Sequence, residues 1–478
     1  MMSRHTTFRY CLDPTVEQSL VLTRHAGAAR FAFNQSLHFV KTALTHRKIS
    51  PEHPVPWTRF DLINAFNTWK RTEEAGRVFA VGANGVAEVQ VTGLVWRTQV
   101  CQQVFEEAAV DCGRALAAFS DSRTGKRAGK RVRFPHFKKK EKCVPAFRIR
   151  NKHVKGGRAM IRVGDNNAAR SVTLPGIGDI RVREDTRRLR RLLAKERAKV
   201  LYATISFRAR RWWISLALEA ADLHVARRHR PRENGDSHGW VGVDRGLTTF
   251  VVASTADGTE VGRIDTAPKP LAAGLRRQRH LAKSVSRKPK GSHNRRDAAA
   301  RLARHHHRIA NVRRHFAHQV ANRLVKTHDR LVVEDLNVVG MLGNHRLARA
   351  ISDVGWADFA RLLTYKQAWR SGAVMTADRW YPSSKRCSAC GRINRDLTLA
   401  DRMFSCECGF NADRDHNAAI NLALWPTIEQ NFSRPPDPRA GGRVTKVRRQ
   451  DGADRRSTSA GETILVDAET DVHPTFVA

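Results

Sequence analysis

Four cysteines stand close together late in the chain. Cys387-Ser388-Ala389-Cys390-Gly391 is followed by Cys406-Glu407-Cys408-Gly409, with 15 residues between Cys390 and Cys406. Two short thiolate pairs of this kind form the ligand set of a tetrahedral Zn²⁺ site. Four thiolates leave no open position for a reactive water, so such a metal would be structural. Glycine after the second cysteine of each pair lets the backbone turn tightly around it. The second pair has one intervening residue where two are usual, a departure in local geometry rather than in the ligand set. Four incidental cysteines are the alternative. Cys11, Cys101, Cys112 and Cys143 are scattered and read as small core residues. This layout suits a reducing compartment, the cytoplasm, better than a disulfide framework.

Three carboxylates have positions that suit metal-assisted chemistry. Asp244 closes the apolar run Val241-Gly242-Val243 and precedes Arg245-Gly246, a turn signal. Glu334 closes Leu331-Val332-Val333, and Asp415 precedes the helix-like Asn417-Ala418-Ala419-Ile420-Asn421-Leu422. Acids at the ends of buried strands and at a helix start can meet at one edge of a sheet. Hard cations such as Mg²⁺ take anionic oxygen, and two of them about 3.5–4 Å apart can clamp the attacking and leaving oxygens of a phosphodiester. By spacing alone, each acid reads more simply as a strand-end residue capping a turn or pairing with arginine. Glu334-Asp335 and Asp413-Arg414-Asp415 also leave the ligand in each group open, since neighbours on a strand face opposite ways.

The elements that must position these residues follow from hydrophobic period. Residues 6–12 read as a strand, and Pro14 opens a helical stretch with Val16, Leu20, Leu22, Ala26 and Phe31 at rough helical spacing. Helical pattern dominates to about Ser122, interrupted at 82–85. Strand alternation is expected in 146–150, 203–207 and 212–218. A polar linker covers 222–237. Strands are then expected at 240–244 and 249–254, with Asp257-Gly258 turning into a third. A long basic helical stretch covers 271–328, a strand ends at Glu334, a helix surrounds Trp356, Phe359 and Leu363, and a strand includes Val374. Alternating strand and helix predicts an α/β layer fold. The tail from Pro426 lacks periodicity and is expected to be disordered.

The 478 residues carry 86 Lys and Arg against 45 Asp and Glu, a net charge of +41. Self-repulsion makes that excess costly unless a polyanion relieves it, and nucleic acid is the obvious partner. Basic residues crowd 123–157 and 271–315. An anionic membrane surface fits less well, because no Lys-rich amphipathic anchor, secretory signal or run of roughly 20 apolar residues is present. His305-His306-His307 reads as a polar helix face, since adjacent residues on a helix do not share a side. Trp212, Trp213 and Trp380 are candidates for base stacking, with core packing the simpler role.

Several segments together resemble one family. Gly242-Val243-Asp244-Arg245-Gly246, Val332-Val333-Glu334-Asp335-Leu336-Asn337 and Asp413-Arg414-Asp415-His416-Asn417-Ala418-Ala419 resemble the three RuvC motifs of TnpB proteins. These are encoded by insertion sequences and are related to compact type V CRISPR effectors. Tyr381-Pro382-Ser383-Ser384-Lys385 and Phe134-Pro135-His136-Phe137-Lys138-Lys139 resemble further family segments. The resemblance runs from about residue 6 to 425, with the Cys-x-Cys spacing and the long tail as departures. It implies an α/β plus β-barrel architecture: an RNase H-like RuvC nuclease domain (238–380 and 413–425) with an inserted zinc ribbon (381–412) that contacts target nucleic acid. The same resemblance implies a wedge-like β-barrel (1–13 and 123–225), a helical recognition insertion (14–122) and a disordered tail (426–478). It implies Asp244, Glu334 and Asp415 as the catalytic, Mg²⁺-binding acids, two ions being expected, and Cys387, Cys390, Cys406 and Cys408 as ligands of one structural Zn²⁺. The implied activity is RNA-guided cleavage of double-stranded DNA: a bound structured guide RNA, a short flanking DNA motif, and one RuvC site acting at the nucleoid. A guided binder that represses without cutting, an RNase H-like transposase and a zinc-containing RNA-binding protein are the competing readings.

Overall fold

A computed structural model of the chain describes residues 4–81, 87–127, 129–153, 157, 159–165, 168–220, 228–230, 239–398, 400–429, 432 and 465–466. The chain divides into two units, Met1–Ala221 with Thr458–Ala478, and Asp222–Ser457. Each mixes α and β structure. Among the described residues, no helix is long and apolar enough to cross a membrane.

The first unit opens with β1 (Arg4–Asp13). Thr15 then caps α1 (Val16–Ile49): its hydroxyl accepts from Gln18 N, and the Gln18 side chain accepts from Thr15 N. The pair satisfies two N–H groups that the helix start would otherwise orphan. Leu22, Ala26, Ala29, Phe33, Leu37 and Val40 recur on one face of α1 and are buried. The next helix is α2 (Arg59–Trp69). Where more helix was expected, the chain forms a two-stranded ladder, β2 (Arg77–Val81) with β3 (Ala87–Thr92). Val78, Phe79, Val81, Val89 and Val91 are strong strand formers, and this local preference overrides the loose helical pattern around them. The expected interruption at 82–85 lies outside the described residues. Helix α3 (Gln102–Arg123) follows and packs on α1.

Then come β4 (Ala146–Arg150), β5 (Arg162–Val163), β6 (Ser171–Leu174), β7 (Gly178–Val182), α4 (Arg187–Ala194), β8 (Ala198–Arg208) and β9 (Arg211–Ala220). They form a sheet in the order β4-β8-β9-β1-β7-β6-β5. β1 is its spine, pairing with β9 over Arg4–Cys11 and with β7 at Leu12 and Asp13. Glu107 of α3, 3% exposed, receives Arg148 at 3.5 Å and also Arg150, both from β4. The basic segment before β4 is fastened to α1 by Asn34, which donates to Lys138 O at 3.1 Å and accepts from Lys138 N at 2.7 Å. Of the scattered cysteines, Cys11 and Cys112 are buried as expected, whereas Cys101 and Cys143 are half-buried. Trp212 is core, and Trp213 lies 4.4 Å beneath the Arg9 guanidinium.

The second unit is built on β10 (Trp240–Asp244), β11 (Val251–Thr255) and β12 (Glu260–Ile264). The basic stretch expected over 271–328 is two helices, α5 (Pro270–Ser286) and α6 (His293–Thr327), which pack together. Pro289 and Gly291, at φ +88°, end the first helical path before the second begins. β13 (Arg330–Glu334), α7 (Val338–Met341), α8 (Ala348–Val354), α9 (Trp356–Trp369) and β14 (Ala373–Ala377) follow. The unit ends with β15 (Met403–Ser405), β16 (Asn411–Asp413) and α10 (Arg414–Ile428).

Its five-stranded sheet has the order β12-β11-β10-β13-β14. β10, β13 and β14 are parallel, and β11 pairs antiparallel with β10 on one side and β12 on the other. Side-chain alternation separates two cores. Val241, Val243, Leu331 and Val333 pack with Val320 and Leu324 of α6 and Phe359 and Leu363 of α9. Trp240, Val332 and Met375, from alternate positions, pack with Leu422 and Trp425 of α10. The sheet is thus sandwiched between α6 with α9 on one face and α10 on the other. Gly242 permits the second contact, since a Cβ there would lie 1.9 Å from Ala419 O. The tail reading is corrected at two places. α10 continues through Ile428, three residues past the expected end of order, and Leu465–Val466 pairs in parallel with β1. Residues 433–464 and 467–478 lie outside the described residues.

Candidate active site

The sheet register brings the acids together. β10 and β13 are parallel and paired through Gly242↔Val332 and Val243↔Val333, so Asp244 and Glu334 each stand one residue beyond the last pair. By alternation both share the face of Gly242 and Val332, which is the face α10 covers. Asp415 lies in the first turn of α10. Gly246 touches the same place: a Cβ on it would lie 3.8 Å from Asp415 Oδ2. Burial pushes the Asp244 carboxyl well above its ordinary range, and the charges of Glu334 and then Asp415 push it further, against Arg245. The buried Asp244 is therefore repelled by two further carboxylates at one edge of a sheet. A cation would relieve that repulsion, and oxygen donors of this kind match a hard divalent ion.

The alternative acids point elsewhere. Asp335 receives Arg379 at 2.6 Å and is nearly half exposed. Asp413 is the N-cap of α10, accepting from His416 N at 2.9 Å, and takes Arg263 at 3.4 Å. Asp415, at 15% side-chain exposure, has a weak 3.5 Å contact from Arg414.

The four cysteines also converge. Cys387 Sγ lies 3.7 Å from Cys408 Sγ, Cys390 Sγ lies 3.6 Å from Cys406 Sγ, and all four sulfurs fall within 4.8 Å of one another. Metal–sulfur bonds of about 2.3 Å in a tetrahedron place sulfurs about 3.8 Å apart, whereas a disulfide needs about 2.05 Å. The cluster therefore has the dimensions of a metal site. Gly391 at φ +77° and Gly409 at φ +88° make the tight turns expected of them. The short Cys-x-Cys pair still brings Cys408 to Cys387. The Arg392 backbone N–H, bonding the Cys390 sulfur, brings that thiol down to about 7, closer to the thiolate a metal needs. Of the other residues considered for chemistry, His305 bonds Gly274 O at 3.1 Å across to α5, a helix-face contact, and Trp380 is half-buried.

Four functional-site neighbours escaped the sequence reading. Arg245, 5% exposed, donates to Glu334 O and, at 3.3 Å, to Trp356 O. Ser383 Oγ donates to Glu334 Oε1 at 2.7 Å. Asn417 and Asn421, both fully buried on α10, grip the chain entering the cysteine cluster. Asn417 donates to Arg386 O at 2.8 Å and accepts from Ser388 N at 3.1 Å; Asn421 donates to Ser383 O at 2.8 Å and to Arg386 O at 2.6 Å. Two polar residues one helical turn apart inside an apolar helix were the available signal.

Three family models match: "Probable transposase" over residues 224–345, "Cas12f1-like, TNB domain" over 356–422 and "Helix-turn-helix domain" over 1–48. A "Putative RNA-guided DNA endonuclease" of Mycobacterium tuberculosis is 34% identical over 426 residues, covering 87% of this chain and 86% of its own. The chain belongs to the TnpB family. A Streptomyces pristinaespiralis protein of the same designation is 30% identical over 87% of this chain and 88% of its own. Among solved structures, a Cas12f1–sgRNA–target DNA complex aligns over 88% of this chain and 99% of its own, at 12% identity and a TM-score of 0.47. Over the span of the helix-turn-helix model, the described residues form one strand and a single helix, β1 and α1, rather than two helices joined by a turn.

Proposed function

We propose that this chain is an RNA-guided DNA endonuclease whose one hydrolytic centre is the Asp244, Glu334 and Asp415 cluster. The observation that carries the reading is the convergence of three carboxylates from β10, β13 and α10 at one sheet edge, where the charges of Glu334 and Asp415 act on the buried Asp244. When bound there, two Mg²⁺ ions would supply Lewis-acid stabilisation of the attacking and leaving oxygens of a phosphodiester. The protein's part is placement. Arg245 ties the end of β10 to the end of β13 through Glu334 O, and Ser383 donates to the Glu334 carboxylate. Cys387, Cys390, Cys406 and Cys408 would hold one structural Zn²⁺, the four thiolates leaving no position for reacting water.

On this reading the second unit carries an RNase H-like RuvC domain, 238–380 with 413–425, and 381–412 is the zinc ribbon. Residues 1–13 and 123–225, within the first unit but for the last four residues, form a wedge-like β-barrel with 14–122 as its recognition insertion. Bonds from Met160 N to Lys152 O and from Ile161 N to Asn151 Oδ1, at 2.9 and 2.8 Å, support closure, because they join the continuation of β4 to the segment leading into β5. The partners are a structured guide RNA and double-stranded DNA, met in the bacterial cytoplasm. Exposed cations at turn intervals support phosphate contact: Arg276, Arg279 and Lys283 on α5 with Arg287 at its C-cap, and Arg301, Arg304 and Arg308 on α6. A guided repressor that does not cut needs no acid cluster, and the intact trio counts against that reading.

The test is plasmid cleavage by the protein purified with the non-coding RNA encoded beside its gene, in Mg²⁺. Cutting at a guide-matched site is expected, with Asp244→Ala removing cutting and leaving RNA bound. A protein that binds no RNA and cuts nothing refutes the proposal.

A further inference from the structure

Glu334 ends β13, and the bond it accepts from Ser383 at 2.7 Å comes from a residue that is itself 3% exposed. Ser383 sits in a non-repetitive segment between β14 and the cysteine cluster, so no ladder holds it. Within the turn Ser383 N donates to Tyr381 O, and Asn421 ties the turn to α10, its Nδ2 donating to Ser383 O and to Arg386 O. Asn417, one turn earlier on α10, bonds Arg386 O and Ser388 N on either side of Cys387. Asp415 lies two residues before Asn417 on the same helix. One chain of short bonds therefore runs from the Cys387 turn through α10 to the Glu334 carboxylate. A carboxylate on the end residue of a strand has free side-chain torsions, and a buried hydroxyl bonded to one of its oxygens removes that freedom.

We propose that Ser383, held in place by Asn421, is a positioning residue that presets the Glu334 carboxylate for cation binding, and that the Asn417–Asn421 clamp fixes the cysteine cluster to the same helix as Asp415. The proposal rests on the reading of the three acids as a cation site. Groups that hydrogen-bond a metal ligand typically contribute about 10- to 100-fold in metal affinity. Among the described residues the Ser383 hydroxyl bonds Glu334 alone, and Asn421 holds Ser383 by its backbone oxygen, so loss of the hydroxyl should act on the cation more than on the fold.

The experiment is Mn²⁺ binding to the full chain by electron paramagnetic resonance, with melting temperature recorded alongside. Ser383→Ala should weaken the site about 10-fold, Asn421→Ala similarly, and Ser383→Thr, which keeps the hydroxyl, should stay near wild type. In a Glu334→Gln background, Ser383→Ala should cost nothing further, and this comparison holds even if one single variant melts early. Unchanged Mn²⁺ binding in Ser383→Ala overturns the proposal, as does an equal loss in Ser383→Thr or a fully additive loss in the Glu334→Gln background. Asp244→Asn separates the two levels: if it leaves Mn²⁺ binding intact, the acid cluster is not a cation site and the functional reading itself fails.

Discussion

Gly242 is the point where sheet and helix come closest, and Gly242→Ala tests whether that approach sets the acid geometry. The added Cβ would meet Ala419 O at 1.9 Å and Ala423 N at 2.5 Å, both backbone atoms of α10. Ordinary contact begins at 3.4 Å, so no rotamer change helps and the helix must retreat by about 1.5 Å. α10 carries Asp415 and the Asn417–Asn421 clamp, whereas Asp244 stays with β10. Overpacking of this kind costs about 1–3 kcal/mol. A 1 Å misplacement of reacting groups costs about 100-fold in rate. The assay is single-turnover cleavage with saturating guide RNA and Mg²⁺, run well below the variant's melting temperature, with RNA binding measured in parallel. A rate about 100-fold lower with RNA binding kept is expected. Gly262→Ala on β12 is the control, because its Cβ would meet only Ala253 Cβ at 4.0 Å. A folded Gly242→Ala protein that cuts at the wild-type rate would refute the reasoning.

Asp244 has a carboxyl raised above its ordinary value of 3.8 by burial first and then by Glu334 and Asp415. The fold therefore favours its protonated form, and the associated stability is complete below that ordinary value and lost as pH rises through the raised one. Asp244→Asn should thus melt higher than wild type at pH 8 without metal, while losing cleavage; added Mg²⁺ should raise the wild-type melting temperature only, and a lower-melting variant would contradict this. Metal analysis of the purified chain should find about one Zn²⁺, and Cys390→Ser should lose it and raise the local proteolysis of residues near Cys387; a metal-free chain of full activity excludes the assignment. Glu107→Gln leaves Arg148 and Arg150 without their buried partner. About 2 kcal/mol of stability should be lost in urea titration, less than for a fully buried pair because Arg150 is nearly half exposed. No change in midpoint would show that the pair contributes nothing.

Much of this protein was legible residue by residue. The two cysteine pairs declare a metal-sized cluster because the ligands are local, and turns with glycine at the corners bring each pair together whatever the rest of the fold does. The apolar runs ending at Asp244 and Glu334 read as buried strands because a sheet covered on both faces needs no alternation. The loose helical pattern before Ser122 misled at β2 and β3, where short-range strand preference won, and the basic stretch concealed a hairpin because charge carries no period.

Spacing left Glu334 or Asp335 and Asp413 or Asp415 open, the resemblance favoured Glu334 and Asp415, and the geometric difference within each pair comes from tertiary structure. Glu334 and Asp335 are chemically interchangeable in a strand-end motif, and the parallel register of β13 with β10 turns one toward α10 and the other toward Arg379. Asp413 and Asp415 differ likewise: one caps the helix and the other stands within its first turn beside Asp244. Asn417 and Asn421 stand out only as two polar residues one turn apart in an apolar helix; their partners, and that of Ser383, are not legible locally, since the bonds span 29 to 49 residues. The sequence by itself determined the donor types, oxygen for one site and sulfur for the other. Tertiary structure decided which oxygens meet, because that depends on register and on one close helix approach over Gly242.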